Sequence, residues 1–130
     1  MTMKYMVLAS LIGVAVGSVG MQAIHAQDSS AATAPAFYIA DFELIDRDGI
    51  RPYSAAVEST FAPFGGKYMV RGGEIAALEG EPPKGRLVVI AFPSMERAKA
   101  WYGSAEYEKL KPMRQRSGNS RTFIVEGTAK

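Results

Sequence analysis

The chain has 130 residues, with 15 Lys and Arg, 13 Asp and Glu, one His and no Cys. Its length suggests one domain, and 48% hydrophobic with 22% charged residues is an ordinary globular balance. The sole histidine, His25, lies in a segment read below as removed, so the processed chain would carry neither His nor Cys; that excludes a Ser-His-Asp triad, a cysteine nucleophile, a histidine base and a disulfide framework.

The chain opens with Lys4, an apolar run from Tyr5 to about Gly20, and small residues up to Ala26. A short basic start, an apolar middle and small residues ahead of a polar stretch read as a secretory signal peptide over 1–26. Cleavage is expected after Ala26, with Ala23 as second choice. The alternative is an uncleaved Tyr5–Ile24 anchor, at the short end of a membrane span. No cysteine follows the run, so lipid attachment is excluded. The expected product is periplasmic, with no membrane attachment after cleavage. Removal of Lys4 leaves 14 basic against 13 acidic residues, a balance of +1, and gives no signal for nucleic acid. Residues 27–35 are small, polar and aperiodic, a flexible leader. The folded domain is expected over 36–127, with 128–130 as a tail. A core of this size has little margin, and such domains often gain stability by self-pairing.

Residues 36–45 are rich in β-formers and alternate Tyr38, Ala40, Phe42 and Leu44 on one face with Phe37, Ile39, Asp41 and Glu43 on the other. Both faces are partly apolar, which predicts a strand covered on both sides. Asp46 to Gly49 make a turn. Ile50, Tyr53, Val57, Phe61 and Phe64 then recur at helical spacing, with Pro52 in the first turn and Pro63 with Gly65-Gly66 at the end. Residues 67–79 alternate again, and Gly72-Gly73 predict a bulge or bend within that strand. Leu87 to Phe92 form a continuous apolar run, read as a central strand. Ser94 caps a second helix with Met95, Ala98, Trp101 and Tyr102 on its inner stripe. Gly103-Ser104 break it, and a further segment carries Tyr107, Leu110 and Met113, with Pro112 expected to kink or shorten it. Thr122–Glu126 is the last strand.

Strand, helix, strand, strand, helix, strand is the split β-α-β order of the α+β ferredoxin-like fold. It predicts an antiparallel four-stranded sheet with its helices on one face. The opposite face also carries apolar residues, and a second copy is its simplest cover. The expected assembly is a homodimer with two sheets face to face, a dimeric α/β barrel.

Several stretches together resemble the DUF1330 family of uncharacterised bacterial proteins, within the dimeric α/β-barrel superfamily. They are Tyr-Ile-Ala-Asp (38–41), Pro-Phe-Gly-Gly-Lys-Tyr-Met-Val-Arg-Gly-Gly (63–73), Leu-Glu-Gly (78–80), Arg-Leu-Val-Val-Ile-Ala-Phe-Pro-Ser (86–94), Ala-Trp-Tyr-Gly-Ser-Ala-Glu-Tyr (100–107) and Lys-Pro-Met-Arg-Gln (111–115). The resemblance spans the whole expected domain and implies the fold and the dimer. The wider superfamily includes cofactor-free monooxygenases, small isomerases and haem-degrading enzymes. The family name records no chemistry.

Candidate site residues each carry two readings. Asp41 is either a general base with a raised pKa in an apolar cavity or a carboxylate paired with an arginine. Arg71, beside Gly72-Gly73, either holds an organic anion or forms a salt bridge supporting the bulge. Glu79 and Arg86 flank the next turn as a paired hairpin end. Tyr53, Trp101, Tyr102, Ser104 and Tyr107, closed by Arg114, either line a ligand pocket between helices and sheet or are core and cap. The sequence has no metal motif, phosphate loop or nucleotide fingerprint, so no metal and no cofactor are expected. Two functions follow from these readings: a dimer that binds or transforms a small apolar acid or ring compound between sheet and helices, and a non-catalytic periplasmic dimer whose polar residues only hold its interface.

Overall fold

The computed structural model describes residues 33–129. The expected signal peptide and residues 27–32 of the leader lie outside them. The elements are β1 (Ala36–Leu44), α1 (Arg51–Phe61) with a 3-10 turn over Ala62–Phe64, β2 (Lys67–Arg71), β3 (Arg86–Phe92), α2 (Met95–Tyr102), α3 (Ala105–Ser117) and β4 (Gly118–Glu126). The sheet order is β2-β3-β1-β4, with every neighbouring pair antiparallel. This is the ferredoxin-like arrangement, with its second helix broken in two.

Period-two alternation sorts the sheet into two faces. Ala36, Tyr38, Ala40 and Phe42 on β1 are buried under the helices, as are Ile90 and Phe92 on β3. Phe37, Ile39 and Asp41 look the other way, opposite Ala91, Val89 and Leu87 on β3 and Val125, Phe123 and Arg121 on β4. On that second face Phe123 and Val125 are exposed.

The core is aromatic. Trp101 is fully buried, stacks on Phe92 at 5.4 Å, meets Phe61 and Tyr38 edge-on, and donates its Nε1–H to Thr60 Oγ1 at 2.9 Å. Removing such a side chain leaves a cavity costing about 3–5 kcal/mol. The 3-10 turn after α1 ends where Gly65 takes φ +82°, a left-handed turn that ordinary residues resist. Ser94 Oγ accepts from Arg97 N, and Ser104 Oγ accepts from Tyr107 N, so each half of the broken helix has its own cap.

Expectations are corrected at β2, at Pro112 and at the start of β4. β2 stops at Arg71, and residues 72–79 are not strand. The bend predicted at Gly72-Gly73 is present at Gly72, with φ +69°, but it follows the strand, and the bulge within β2 lies earlier, between Tyr68 and Val70, where the register with β3 slips. Pro112 does not shorten α3, which runs on to Ser117. Pro112 and Glu108, whose carbonyl loses its helical donor, are both exposed residues. β4 starts four residues before the expected Thr122.

Candidate functional site

A cavity of about 130 Å³ lies between the helix-covered face of the sheet and α1. Ala40, Phe42, Val88 and Ile90 form its floor, and Ile50 and Val57 close one wall. Its polar contributions are Tyr38, Tyr53, Ser54, Tyr68 and three arginines, Arg71, Arg86 and Arg114. Among the described residues no Asp or Glu lines it.

Arg114 reaches this place from the last turns of α3. It is 5% exposed. Its Nε donates to Tyr107 Oη at 3.3 Å, one terminal nitrogen donates to Tyr102 Oη at 3.4 Å, and the other donates to Ser120 Oγ on β4. All three partners are hydroxyls. Among the described residues the ion pairs are Arg51–Asp48, Lys111–Glu108 and Arg121–Asp41, and none includes Arg114. Burial opposes its charge, the surrounding Tyr107 and Tyr38 oxygens favour it, and the net shift of its pKa is upward. It is therefore a buried cation held in place by neutral groups, with none of the anionic compensation that such groups ordinarily need.

The tyrosines complete this pole. Tyr53 and Tyr107 share a hydrogen bond between their hydroxyls at 2.8 Å, which carries the network from α3 to α1. Tyr38 is 2% exposed, and its hydroxyl is the buried side-chain polar atom left without a hydrogen-bond partner among the described residues. Tyr107 is close enough to act on that hydroxyl, but the pair lacks the geometry of a full hydrogen bond. Burial first, and the neighbouring Tyr107 second, push the pKa of both Tyr38 and Tyr53 well above the ordinary phenol value. Both are thus neutral hydroxyls at physiological pH, able to donate to an anion and unsuited to act as bases.

The other pole is on the β2 side. The slip between Tyr68 and Val70 puts two residues where one is expected, so Tyr68 and Arg71 share the helix-facing side despite their odd spacing. The Arg71 guanidinium lies over the Tyr68 ring, 4.5 Å from its centroid. Arg86 lies against Gly72, which has φ +69°; a Cβ there would come within 2.6 Å of Arg86 Nε. Gly72 N donates to Leu87 O at 2.8 Å, which fixes the turn out of β2.

The predicted residues separate accordingly. Arg71, Tyr53 and Arg114 line the cavity. Tyr107 and Tyr102 stand behind Arg114 and hold it. Trp101 belongs to the core, not the cavity wall, and Ser104 is the cap of α3, with its own hydroxyl donating to Trp101 O at 2.7 Å. Asp41 takes the second reading offered for it, a carboxylate paired with an arginine, and the base reading is corrected: it faces the opposite side of the sheet from Arg71. Its carboxylate accepts from Arg121 at 2.9 Å and from Gly85 N at 3.0 Å. The Arg121 bond first, and the Gly85 N–H second, hold its pKa below the usual carboxylate value, the reverse of the raised value a cavity base requires. Glu79 lies in the exposed segment after Gly72 and forms no ion pair with Arg86 among the described residues. Sequence reasoning passed over Tyr38 as a site residue and gave Arg86 only a hairpin role. The alternation that places Tyr38 on the same face as Ala40 and Phe42 was the available signal for it.

No curated protein matches the chain. Among solved structures, it is similar to RPA0582, a protein of unknown function from Rhodopseudomonas palustris (TM-score 0.55, 15% identity, covering 85% of this chain and 95% of that one). A structure of the methylated RPA0582 protein gives TM-score 0.54 and 16% identity over 85% and 93% of the two chains. SnoaB, a cofactor-independent oxygenase from Streptomyces nogalater, gives 0.49 and 10% identity over 76% and 95%. At these identities the likeness concerns the fold alone. Residues 35–128 match the family model DUF1330, described as a domain of unknown function, and the chain belongs to that family.

Proposed function

We propose that this chain binds a small organic acid, its carboxylate at Arg114 and its apolar body over the Ala40, Val88 and Ile90 floor. The observation that carries this reading is the conjunction at one place of a buried arginine without a carboxylate and a buried tyrosine hydroxyl without a partner. Burying an unpaired cation opposes folding by several kcal/mol, and an orphaned hydroxyl by about 1–3 kcal/mol. A ligand carboxylate offsets both at once: it neutralises Arg114 and accepts from Tyr38.

The cavity supplies cationic stabilisation and hydroxyl donors. Among the described residues its lining holds no Asp, Glu or His. This supports binding, or stabilisation of a ligand anion, over proton abstraction by the protein. A calorimetric titration of the processed chain with pentanoate and with benzoate tests the reading. Saturable binding by the wild type, weakened at least roughly tenfold in a folded Arg114→Met variant, is the expected result. Equal affinities in the two proteins contradict it.

Assembly and location belong to the same proposal. The sheet face opposite the helices exposes Met69, Val70, Phe123 and Val125, and the segment after Gly72 exposes Ile75 and Leu78. An apolar face of this kind is suited to a second copy packing sheet to sheet. The N-terminal basic-apolar-small pattern supports export, with the folded region beginning near Ala36. Native mass spectrometry of the secreted product reads both: a dimer starting at Gln27 is expected, and a monomer or an unprocessed chain contradicts the corresponding half.

A further inference from the structure

The cavity has two cationic poles, and the register of the sheet sets how far apart they are. Arg86 on β3 and Ser120 on β4 both pair with Phe42 on β1, so they flank it in one row across the sheet. Arg114 is fixed to Ser120. Arg86 therefore starts two strand spacings, about 10 Å, from the residue that anchors Arg114. Arg71 pairs with Val88 in the adjacent row and stands beside Arg86 on the β2 side. Between the poles the floor is apolar, formed by Phe42, Ala40 and Val88. A single carboxylate cannot engage both ends, and an acid with one charge would leave the Arg71/Arg86 pole facing its hydrocarbon tail.

Resting on the organic-acid reading above, we propose that the natural ligand is a short dicarboxylate lying across the sheet. One carboxylate is at Arg114 with the Tyr38 hydroxyl, and the other is at Arg86 and Arg71. The room available fits this class. A cavity of about 130 Å³ is slightly smaller than the roughly 150 Å³ space that accommodates benzene. That suits the short apolar middle of a diacid, with its second carboxylate outside the enclosed space at Arg71 and Arg86, which are exposed. Gly72 has a part in this selectivity, because a side chain there would displace the Arg86 guanidinium.

The test compares glutarate with pentanoate, acids of equal chain length that differ by one carboxylate, in calorimetric titrations of the processed chain. Glutarate is expected to bind roughly tenfold or more tighter, since the second carboxylate gains charge-assisted hydrogen bonds at the Arg86 pole. Arg86→Gln, at an exposed position, should cost glutarate roughly tenfold and pentanoate less than about twofold. Pentanoate binding as tightly as glutarate, with Arg86→Gln acting equally on both, overturns the two-pole assignment and leaves the single-anion reading standing. Binding of neither acid overturns both.

Discussion

The two faces of one sheet treat charge in opposite ways. On the open face, Asp41 and Arg121 form an ion pair at 2.9 Å, with Gly85 N as a further donor to the carboxylate. On the covered face, Arg114 is buried against hydroxyls alone, and Tyr38 nearby has no partner. The first arrangement is complete and asks for nothing more. The second is incomplete, and its deficit has a definite sign and position. A compensated charge is complete within the structure, whereas an uncompensated buried one is what the proposed carboxylate would complete.

Substitutions at the two faces should separate accordingly. The largest effect is expected at Arg114→Met, which should weaken carboxylate binding by roughly tenfold to a hundredfold in calorimetry, the loss of one or more charged hydrogen bonds. Tyr38→Phe comes next: it removes an orphaned buried hydroxyl and should raise the unfolding free energy by about 1 kcal/mol in urea titrations, while weakening carboxylate binding several-fold. A Tyr53→Phe variant breaks the bond to Tyr107 and should lower stability by a similar amount, so the two tyrosines are expected to move in opposite directions. Gly72→Ala forces an L-residue to φ +69° and pushes Arg86 aside; a stability loss of about 1 kcal/mol should accompany a weaker preference for diacids.

The smallest effect belongs to the open face. Asp41→Asn should leave carboxylate affinity unchanged and act only on acid stability. Because the folded-state pKa of Asp41 lies below its ordinary 3.8, the pair's contribution is fully present above that value and fades as pH falls through the lower native one. Arg121 is 79% exposed, so salt should screen what contribution there is. Ligand binding should instead be flat from about pH 6 to 9, since Arg114 stays charged and Tyr38 and Tyr53 stay neutral throughout. Titrations across that range check it.

The fold was legible from local signals. The two-sided apolarity of residues 36–45, the helical spacing from Ile50 to Phe64, the continuous run at 87–92 and the serine caps at 94 and 104 each correspond to an observed element. The site was less legible, for two physical reasons. Alternation puts Asp41 with Phe37 and Ile39, opposite Tyr38, but leaves open whether the carboxylate is a base or an arginine's partner, because its partner Arg121 comes from β4, whose place beside β1 only the sheet order fixes. The slip between Tyr68 and Val70 moves Arg71 by one position in register, and no glycine marks it. The broken second helix brings Arg114 under the sheet next to Ser120, a meeting of residues from α3 and β4 that spacing shows only once the strand order is known. Pro112 does not end α3, and its place on an exposed stretch of the helix is not visible from spacing alone.

The most direct test of the account is the thermal midpoint of wild type and Arg114→Met, each with and without saturating pentanoate. Without ligand the variant should melt no lower than wild type, because losing three hydroxyl contacts is offset by no longer burying an unpaired cation. With ligand, only the wild type should gain. A variant that melts well below wild type yet keeps the full ligand-induced gain would mean that Arg114 is a structural strut and that the cavity is not a carboxylate site.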